Sequence, residues 1–105
     1  MDRVIKQFDH YKIYYMTGGS DVPLIDCYDG TTPVGKLVFH TDPGPLPPNV
    51  LRQDGVIYLR YRIAQFGDVH NILRGEKPLY IRIGTPSLIG GIGTAEGEPV
   101  GKLDP

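Results

Sequence analysis

The feature that most constrains the fold is an alternating run, VIYLRYRI, at residues 56–63. Successive side chains of a β-strand point to opposite faces, so one face of this run is apolar and the other carries a tyrosine and two arginines. The pattern therefore predicts a half-buried strand. Its inward residues are Ile57, Leu59, Tyr61 and Ile63, and its outward residues are Tyr58, Arg60 and Arg62.

Four more segments have the aromatic and β-branched composition of strands and are bounded by turn residues. Asp29 and Gly30 form a strong turn signal between the second and the third of them, which predicts a hairpin. Gly35 inside the third segment indicates a bulge or a close backbone approach. The four segments are residues 10–16, 23–29, 33–41 and 78–84.

One helix is predicted between the last two strands. Four apolar residues recur at helical spacing, followed by a glycine where a C-terminal cap is expected and by a proline that prevents continuation. These residues are Phe66, Val69, Ile72 and Leu73, then Gly75 and Pro78. We expect a helix over residues 65–74 that packs Val69, Ile72 and Leu73 against a core containing Leu37, Leu59, Tyr61 and Ile81.

The order of these segments predicts an α+β fold that is mostly β. Short strands with one helix favour a small curled sheet, antiparallel or mixed, or a partly open barrel of about five strands, with the helix before the last strand. The order leaves open whether the fourth and fifth strands run parallel or antiparallel.

Residues 42–55 contain four prolines and are predicted to be a loop. Residues 1–84 are expected to form one domain, and the Gly- and Pro-rich residues 85–105 a largely flexible tail.

Basic side chains concentrate on one face of the predicted strands, whereas acidic side chains fall mainly in turns, with Asp26 as the clear exception. Tyrosines stack, and arginines and lysines pair with phosphates or carboxylates, so this face has the chemistry to bind an anionic or planar ligand. The alternative interpretation is an ordinary solvated face, since long basic side chains also suit exposed strands. The candidate ligand-binding residues are Tyr58, Arg60, Arg62, Tyr80, Arg82, Lys12 and Lys36.

The sequence contains no recognisable catalytic or metal-binding motif. His10, His40 and His70 lie thirty residues apart, without the short spacing typical of zinc ligands. Cys27 is the single cysteine and is expected to be a small core side chain rather than a nucleophile. The glycine-rich residues 90–98 lack the Lys-Ser or Lys-Thr of a phosphate loop. We therefore predict no catalytic residues, no metal and no cofactor.

The leading functional hypothesis is a non-catalytic interaction domain that self-associates, because small sheets expose edges that tend to be paired or covered. We expect a homodimer and an unknown protein partner. The alternative is a binder of an anionic ligand or of single-stranded nucleic acid, and a small enzyme without a recognisable motif is the third choice. The net charge of −1 does not favour nucleic acid. One cysteine and an amino terminus without an apolar signal region predict a cytoplasmic protein with no membrane partner.

Overall fold

The computed structural model describes residues 2–15, 23–75 and 79–94 of the chain. Within these ranges the chain forms eight strands, a short 3-10 turn at Ile63–Gln65 and one α-helix, α1 (Phe66–Gly75). In chain order the strands are β1 (Asp2–Phe8), β2 (His10–Tyr14), β3 (Leu24–Asp29), β4 (Thr32–His40), β5 (Val50–Leu51), β6 (Ile57–Arg62), β7 (Leu79–Thr85) and β8 (Gly90–Thr94). No helix in the described ranges has the length and apolar character needed to cross a membrane.

The strands form two sheets, where the sequence predicted one sheet or a partly open barrel. One sheet has three antiparallel strands in the order β1-β7-β8. The other has the order β2-β3-β4-β6-β5, and within it β4 and β6 run parallel while the other neighbours are antiparallel. Over the described residues neither sheet closes into a barrel, and the predicted α+β, mostly β class is confirmed. The predicted fourth and fifth strands are β6 and β7, which lie in different sheets and do not pair with each other.

The chain passes from one sheet to the other at a corner formed by Asp9, between β1 and β2. The Asp9 N–H donates to the carbonyl oxygen of Tyr28 at 3.0 Å. Its carboxylate accepts the N–H of Gly30 at 2.9 Å and lies 2.7 Å from Nδ1 of His10. The hydrogen bond from Gly30, followed by that from His10, holds the pKa of Asp9 below its usual value. This exposed carboxylate thus ties the corner to the turn between β3 and β4.

The inner faces of both sheets and one side of α1 enclose a hydrophobic core. The inward positions predicted from the alternation are confirmed, because Leu37, Leu59 and Ile81 are almost completely buried. Tyr61 is only half-buried, and it stacks on Phe39 with 5.5 Å between the ring centroids. The buried residues of this core are Phe8, Ile25, Cys27, Val34, Leu37, Phe39, Ile57, Leu59, Val69, Leu73, Leu79, Ile81 and Ile83.

Gly35 lies where the two sheets approach each other. A methyl group on its Cα would overlap Cδ1 of Ile81, which projects from β7 in the other sheet. The pairing of β3 with β4 also shifts its register between Cys27 and Tyr28, which lie opposite Gly35 and Pro33. The two features anticipated at Gly35, a bulge and a close approach, are therefore both present.

Helix α1 packs Val69 and Leu73 into the core, and both are buried. The prediction that Ile72 is also buried is wrong, since Ile72 is 37% exposed. Residues 69 and 73 are four apart and share one face of the helix, while residue 72 is turned toward its flank. The buried face continues instead through Phe66, whose ring meets Phe39 edge-on with 4.8 Å between the centroids.

Three strands have no sequence pattern that predicts them. In β1 the charged residue Lys6 is on the same side as Val4, and the apolar residue Ile5 is half exposed. The strand therefore lacks a clear alternation of apolar and polar residues. β5 has two residues and lies inside the predicted loop of residues 42–55. β8 has three glycines among five residues. Each is a strand because a neighbour supplies its backbone hydrogen bonds: β7 for β1 and β8, and β6 for β5.

The strand β8 also extends the folded domain beyond its predicted boundary at residue 84. Pro86 and Ser87 form the turn after β7, and the N–H of Leu88 donates across it to the carbonyl oxygen of Gly84 at 2.9 Å. The following residues pair with β7 as far as Thr94. Residues 95–105 lie outside the described residues, and the expectation of a flexible tail stays a prediction for them.

Candidate functional site

The structure divides the seven candidate ligand-binding residues between two surfaces. Those on β2, β4 and β6 lie on the outer face of the five-stranded sheet, and those on β7 lie on the outer face of the three-stranded sheet. Because the inner faces of both sheets pack on the same core, the two outer faces point away from each other. The first group is Lys12, Lys36, Tyr58, Arg60 and Arg62, and the second is Tyr80 and Arg82.

Tyr58 is the centre of the first group. Lys12, Asp26, Lys36 and Tyr58 occupy matching register positions across four neighbouring strands, so their side chains share one face. Three cations surround the Tyr58 ring: Arg52 at 5.2 Å, Lys36 at 5.4 Å and Arg60 at 5.9 Å from the ring centroid. All three distances are within the range of cation–π attraction. We call Tyr58, Lys36, Arg52 and Arg60 the Tyr58 cluster.

Arg52 is not among the candidate residues predicted from the sequence, because it lies in the segment predicted as a loop. A tight turn brings it beside β6: the Arg52 N–H donates to the carbonyl oxygen of Val56 at 3.0 Å, and the Gly55 N–H donates back to Arg52 at 2.9 Å. Gly55 has a φ of +89°, a conformation that favours glycine. The Asp54-Gly55 pair was a usable signal, since such a turn before a strand predicts a hairpin and hence a basic residue next to Tyr58.

The charges of the Tyr58 cluster are unevenly compensated. Nζ of Lys36 lies 3.8 Å from a carboxylate oxygen of Asp26, and Nε of Arg52 lies 3.9 Å from one of Asp54. Arg60 takes part in none of the ion pairs formed among the described residues. Its Nε is buried and, within that same part of the chain, has no hydrogen-bond acceptor. A guanidinium nitrogen in this state lacks the oxygen partner that it would have in water.

A shallow cavity of about 290 Å³ opens beside the cluster. Lys36, Arg52 and Tyr58 line it together with the carboxylates of Asp26 and Asp54. Tyr28 forms another part of the wall, and Nζ of Lys12 lies 5.4 Å from the centroid of the Tyr28 ring. Two of the seven candidate residues, Lys36 and Tyr58, therefore line this cavity. Three others lie on the same sheet face outside its lining, and the remaining two lie on the other sheet.

Arg62 lies on the same outer face but outside the cluster. Its guanidinium donates to the carbonyl oxygen of Asp42 at 3.0 Å, and its backbone N–H donates to Oε1 of Gln65 at 2.9 Å. These bonds fix the start of the proline-rich segment and the entry into the 3-10 turn. Arg62 is thus engaged in holding the local fold.

The opposite surface, around Tyr80 and Arg82, has a different form. The hydroxyl of Tyr80 lies 3.3 Å from Oε1 of Gln7. Arg82 borders a groove of about 420 Å³ together with Arg3 and the glycines of β8. Gly91 adds no side chain to this groove, and open space surrounds the position that its Cβ would take. Two isoleucines, Ile89 and Ile92, also line this groove, whereas Tyr80 lines a separate cavity of about 240 Å³ that Arg82 also borders.

Three consecutive large side chains, two at the end of β2 and one directly after it, are exposed on alternating faces. Ile13, Tyr14 and Tyr15 are 37%, 41% and 55% exposed. The Tyr15 ring meets Phe66 edge-on with 5.1 Å between the centroids, which connects this surface to the aromatic residues beneath α1. We call Ile13, Tyr14 and Tyr15 the β2 apolar segment.

The groups considered for chemistry lie in separate places. Cys27 is buried as expected, and burial, with a smaller contribution from Asp26, raises the pKa of its thiol to about 12. His10 lies beside Asp9 at the corner, and His70 packs against Tyr11 beneath the helix. In the described ranges no three histidine, cysteine or carboxylate side chains are grouped so that they could hold a metal ion.

Comparison of the chain with protein-family models, with curated proteins and with solved structures gave no match. Its function is therefore inferred from its own surfaces.

Proposed function

We propose that this chain is an interaction domain, and that two copies pair through their β2 edges to form a homodimer. The observation that carries the proposal is the β2 apolar segment, in which two exposed side chains lie on the edge strand β2 and the third, Tyr15, directly follows it. In the described part of the chain β2 has a hydrogen-bonded neighbour, β3, on one side only. An open edge with apolar side chains favours the addition of another strand, because both unpaired backbone groups and apolar surface are then covered.

The other edges of the two sheets are less suited to pairing. β5 has only two residues, and four prolines precede it, which cannot donate hydrogen bonds to a partner strand. β8 has three glycines and therefore little side-chain surface for a partner to cover. β1 carries Arg3 and Lys6, and charged residues oppose edge-to-edge association. β2 has one lysine, Lys12, in its five residues.

The position of Lys12 selects the register of the pairing. A two-fold axis makes the two β2 strands antiparallel and each contact reciprocal. A register centred on Lys12 would place the two copies of that lysine directly opposite each other, which is destabilising. A register centred on Ile13 instead places Ile13 opposite its own copy and Lys12 opposite Tyr14. We propose the second register, because it buries isoleucine and gives each lysine an aromatic neighbour.

The mass of the protein in solution tests the proposal. Light scattering over a dilution series should show a dimer that dissociates, and Ile13→Lys should shift dissociation to much higher concentration by placing two new cations in contact. Ile5→Lys is the matched control, since Ile5 is an isoleucine on the edge strand of the other sheet and is 50% exposed. A monomer at every concentration, or equal effects of the two variants, would overturn the proposal.

Cross-linking tests the register. Cα atoms directly opposite each other in antiparallel strands are about 4.5–5.5 Å apart, a separation that a disulfide can span. Mild oxidation of Ile13→Cys should therefore give a covalent dimer, while Ile5→Cys should remain monomeric on a denaturing gel. Efficient cross-linking of Ile5→Cys alone would assign the interface to β1.

We also propose that the domain acts by association rather than catalysis, and in the cytoplasm. The buried thiol of Cys27, with its raised pKa, stays protonated near neutral pH and is a poor nucleophile. Cys27 is a free cysteine, which is compatible with a reducing compartment. Fractionation of cells that produce the tagged protein would test the location, and recovery outside the cytoplasmic fraction would contradict it.

A further inference from the structure

We propose that the Tyr58 cluster is a binding site for the phosphate group of a small phosphorylated molecule. This site is on the outer face of the five-stranded sheet and does not depend on the homodimer proposed above. The cluster presents three cations around the Tyr58 ring, and two of them, Lys36 and Arg52, line the cavity beside it. Arg60 supplies the strongest reason, because its guanidinium lies 5.9 Å from the ring centroid and its Nε has no hydrogen-bond acceptor among the described residues.

The backbone of Arg60 is fixed from the edge of the sheet. Its N–H donates to Oδ1 of Asn49 at 2.8 Å, which gives it a partner where β5 supplies none, because β5 begins at Val50 and pairs only with Tyr58 and Ile57. The side chain crosses toward the Tyr58 ring, and its buried Nε has no acceptor among the described residues. A guanidinium that is positioned but unsatisfied is suited to an oxyanion, which accepts several of its hydrogen bonds at once.

The two other cations can turn toward the same anion. The ion pairs of Lys36 with Asp26 and of Arg52 with Asp54 are close to the distance limit for such pairs, and both arginine and aspartate of the second are more than half exposed. Exposed pairs of this kind contribute little stability. A phosphate dianion carries more charge than one carboxylate and offers three acceptor oxygens, one for each cation of the cluster.

The geometry around Tyr58 also restricts the class of ligand. Cations already flank the ring within 6 Å, so the cluster is arranged for charge rather than for stacking a nucleobase. The cavity of about 290 Å³ is at the lower end of the range for small-molecule sites. Both features favour a phosphate monoester on a small molecule over the backbone of a nucleic acid.

Titration of the full chain with inorganic phosphate, followed by NMR, tests this site. At constant ionic strength we expect the amide signals of Tyr58 and Arg60 to shift with saturation, whereas added chloride leaves them unchanged. Arg60→Gln should weaken phosphate binding about tenfold or more, which corresponds to the loss of one charged contact. Arg82→Gln is the matched control, because it removes the same charge from the outer face of the other sheet, and it should change the affinity by less than twofold.

Three results would overturn the inference. One is the absence of saturable shifts with phosphate, and another is equal weakening by Arg60→Gln and Arg82→Gln. The third is binding of a single-stranded oligonucleotide without binding of phosphate, which would assign the face to nucleic acid.

Because Arg60 is part-buried, Arg52→Gln provides a second variant at an exposed position and should also weaken binding. The proposed homodimer and the proposed phosphate site can be tested separately, because Ile13→Lys should leave phosphate binding intact.

Discussion

Asn49 donates a hydrogen bond from its side-chain Nδ2 to the carbonyl oxygen of Leu88 at 2.9 Å. This bond joins the edge of the five-stranded sheet to the turn between β7 and β8 in the other sheet. Oδ1 of the same amide accepts the N–H of Arg60 at 2.8 Å. Leu88 has a φ of +59°, an uncommon value for a residue with a side chain. One amide thus satisfies backbone groups of both sheets and supports an unusual turn.

Replacing Asn49 should therefore destabilise the fold. In Asn49→Ala the N–H of Arg60 and the carbonyl of Leu88 lose a part-buried partner, so the free energy of unfolding should fall by about 1–3 kcal/mol. Urea denaturation followed by circular dichroism would measure the loss. Asn71→Ala is the control, since Asn71 is exposed on α1 and alanine is a good helix former. Equal stability of the two variants would contradict the bridging role of Asn49.

Gly35→Ala tests the close approach of the two sheets. The added methyl group would overlap Cδ1 of Ile81, so this substitution should reduce the free energy of unfolding by about 1–3 kcal/mol. Gly91→Ala adds the same group in open space and should cost less. Adding Ile81→Val removes Cδ1 and should recover part of the stability lost in Gly35→Ala. Strict additivity of the two changes would mean that the residues do not interact.

A pair of neighbouring residues in α1 tests the packing of the helix. Leu73→Ala should lower the free energy of unfolding by about 2–5 kcal/mol because a buried side chain is removed. Ile72→Ala should change it by about 0.5 kcal/mol, as is usual for surface positions. Leu59→Ala is expected to match Leu73→Ala, since Leu59 is 1% exposed. Thermal or urea unfolding would rank the three variants, and a larger loss for Ile72→Ala would reverse the assignment of the helix faces.

The buried thiol of Cys27 should make the protein sensitive to alkaline pH. Its pKa is about 12 in the fold and about 9 without burial, so between these values the unfolded chain has lost a proton that the folded chain retains. The free energy of unfolding should accordingly be unaffected below pH 9 and fall as pH rises toward 12, with a slope of up to about 1.4 kcal/mol per pH unit. Denaturation curves at several pH values would show this decline.

Cys27→Ala provides the comparison for that measurement. It should be less stable at neutral pH, because a core side chain is shortened, but its stability should fall less steeply above pH 9. Some decline should remain, since burial also raises the pKa of the Tyr61 hydroxyl. Parallel curves for the two proteins would show that Cys27 does not control the alkaline response.

The Tyr58 cluster was predicted only in part from the sequence. Tyr58 and Arg60 were placed on one face by their alternation in a single strand, and Lys36 by the same rule in another. Arg52 was missed because it depends on a two-residue strand, and Tyr80 and Arg82 were grouped with the others although they belong to a different sheet. The spacing of residues within one strand predicts which side chains share a face of that strand. It does not predict which of the two sheets the strand joins.

Local patterns in the sequence predict the mostly β class, the hairpin of β3 and β4, the helix α1 and the inward side chains of β4, β6 and β7. These follow from the two-residue period of strands, from turn residues and from a capped apolar repeat, all of which act over a few neighbouring residues. Long-range packing determines that the strands form two sheets, that β1 and β8 are strands, and that β4 and β6 run parallel. Such features depend on hydrogen-bond partners and on contacts between residues far apart in the chain, such as that of Gly35 with Ile81. The spacing of neighbouring residues does not predict them.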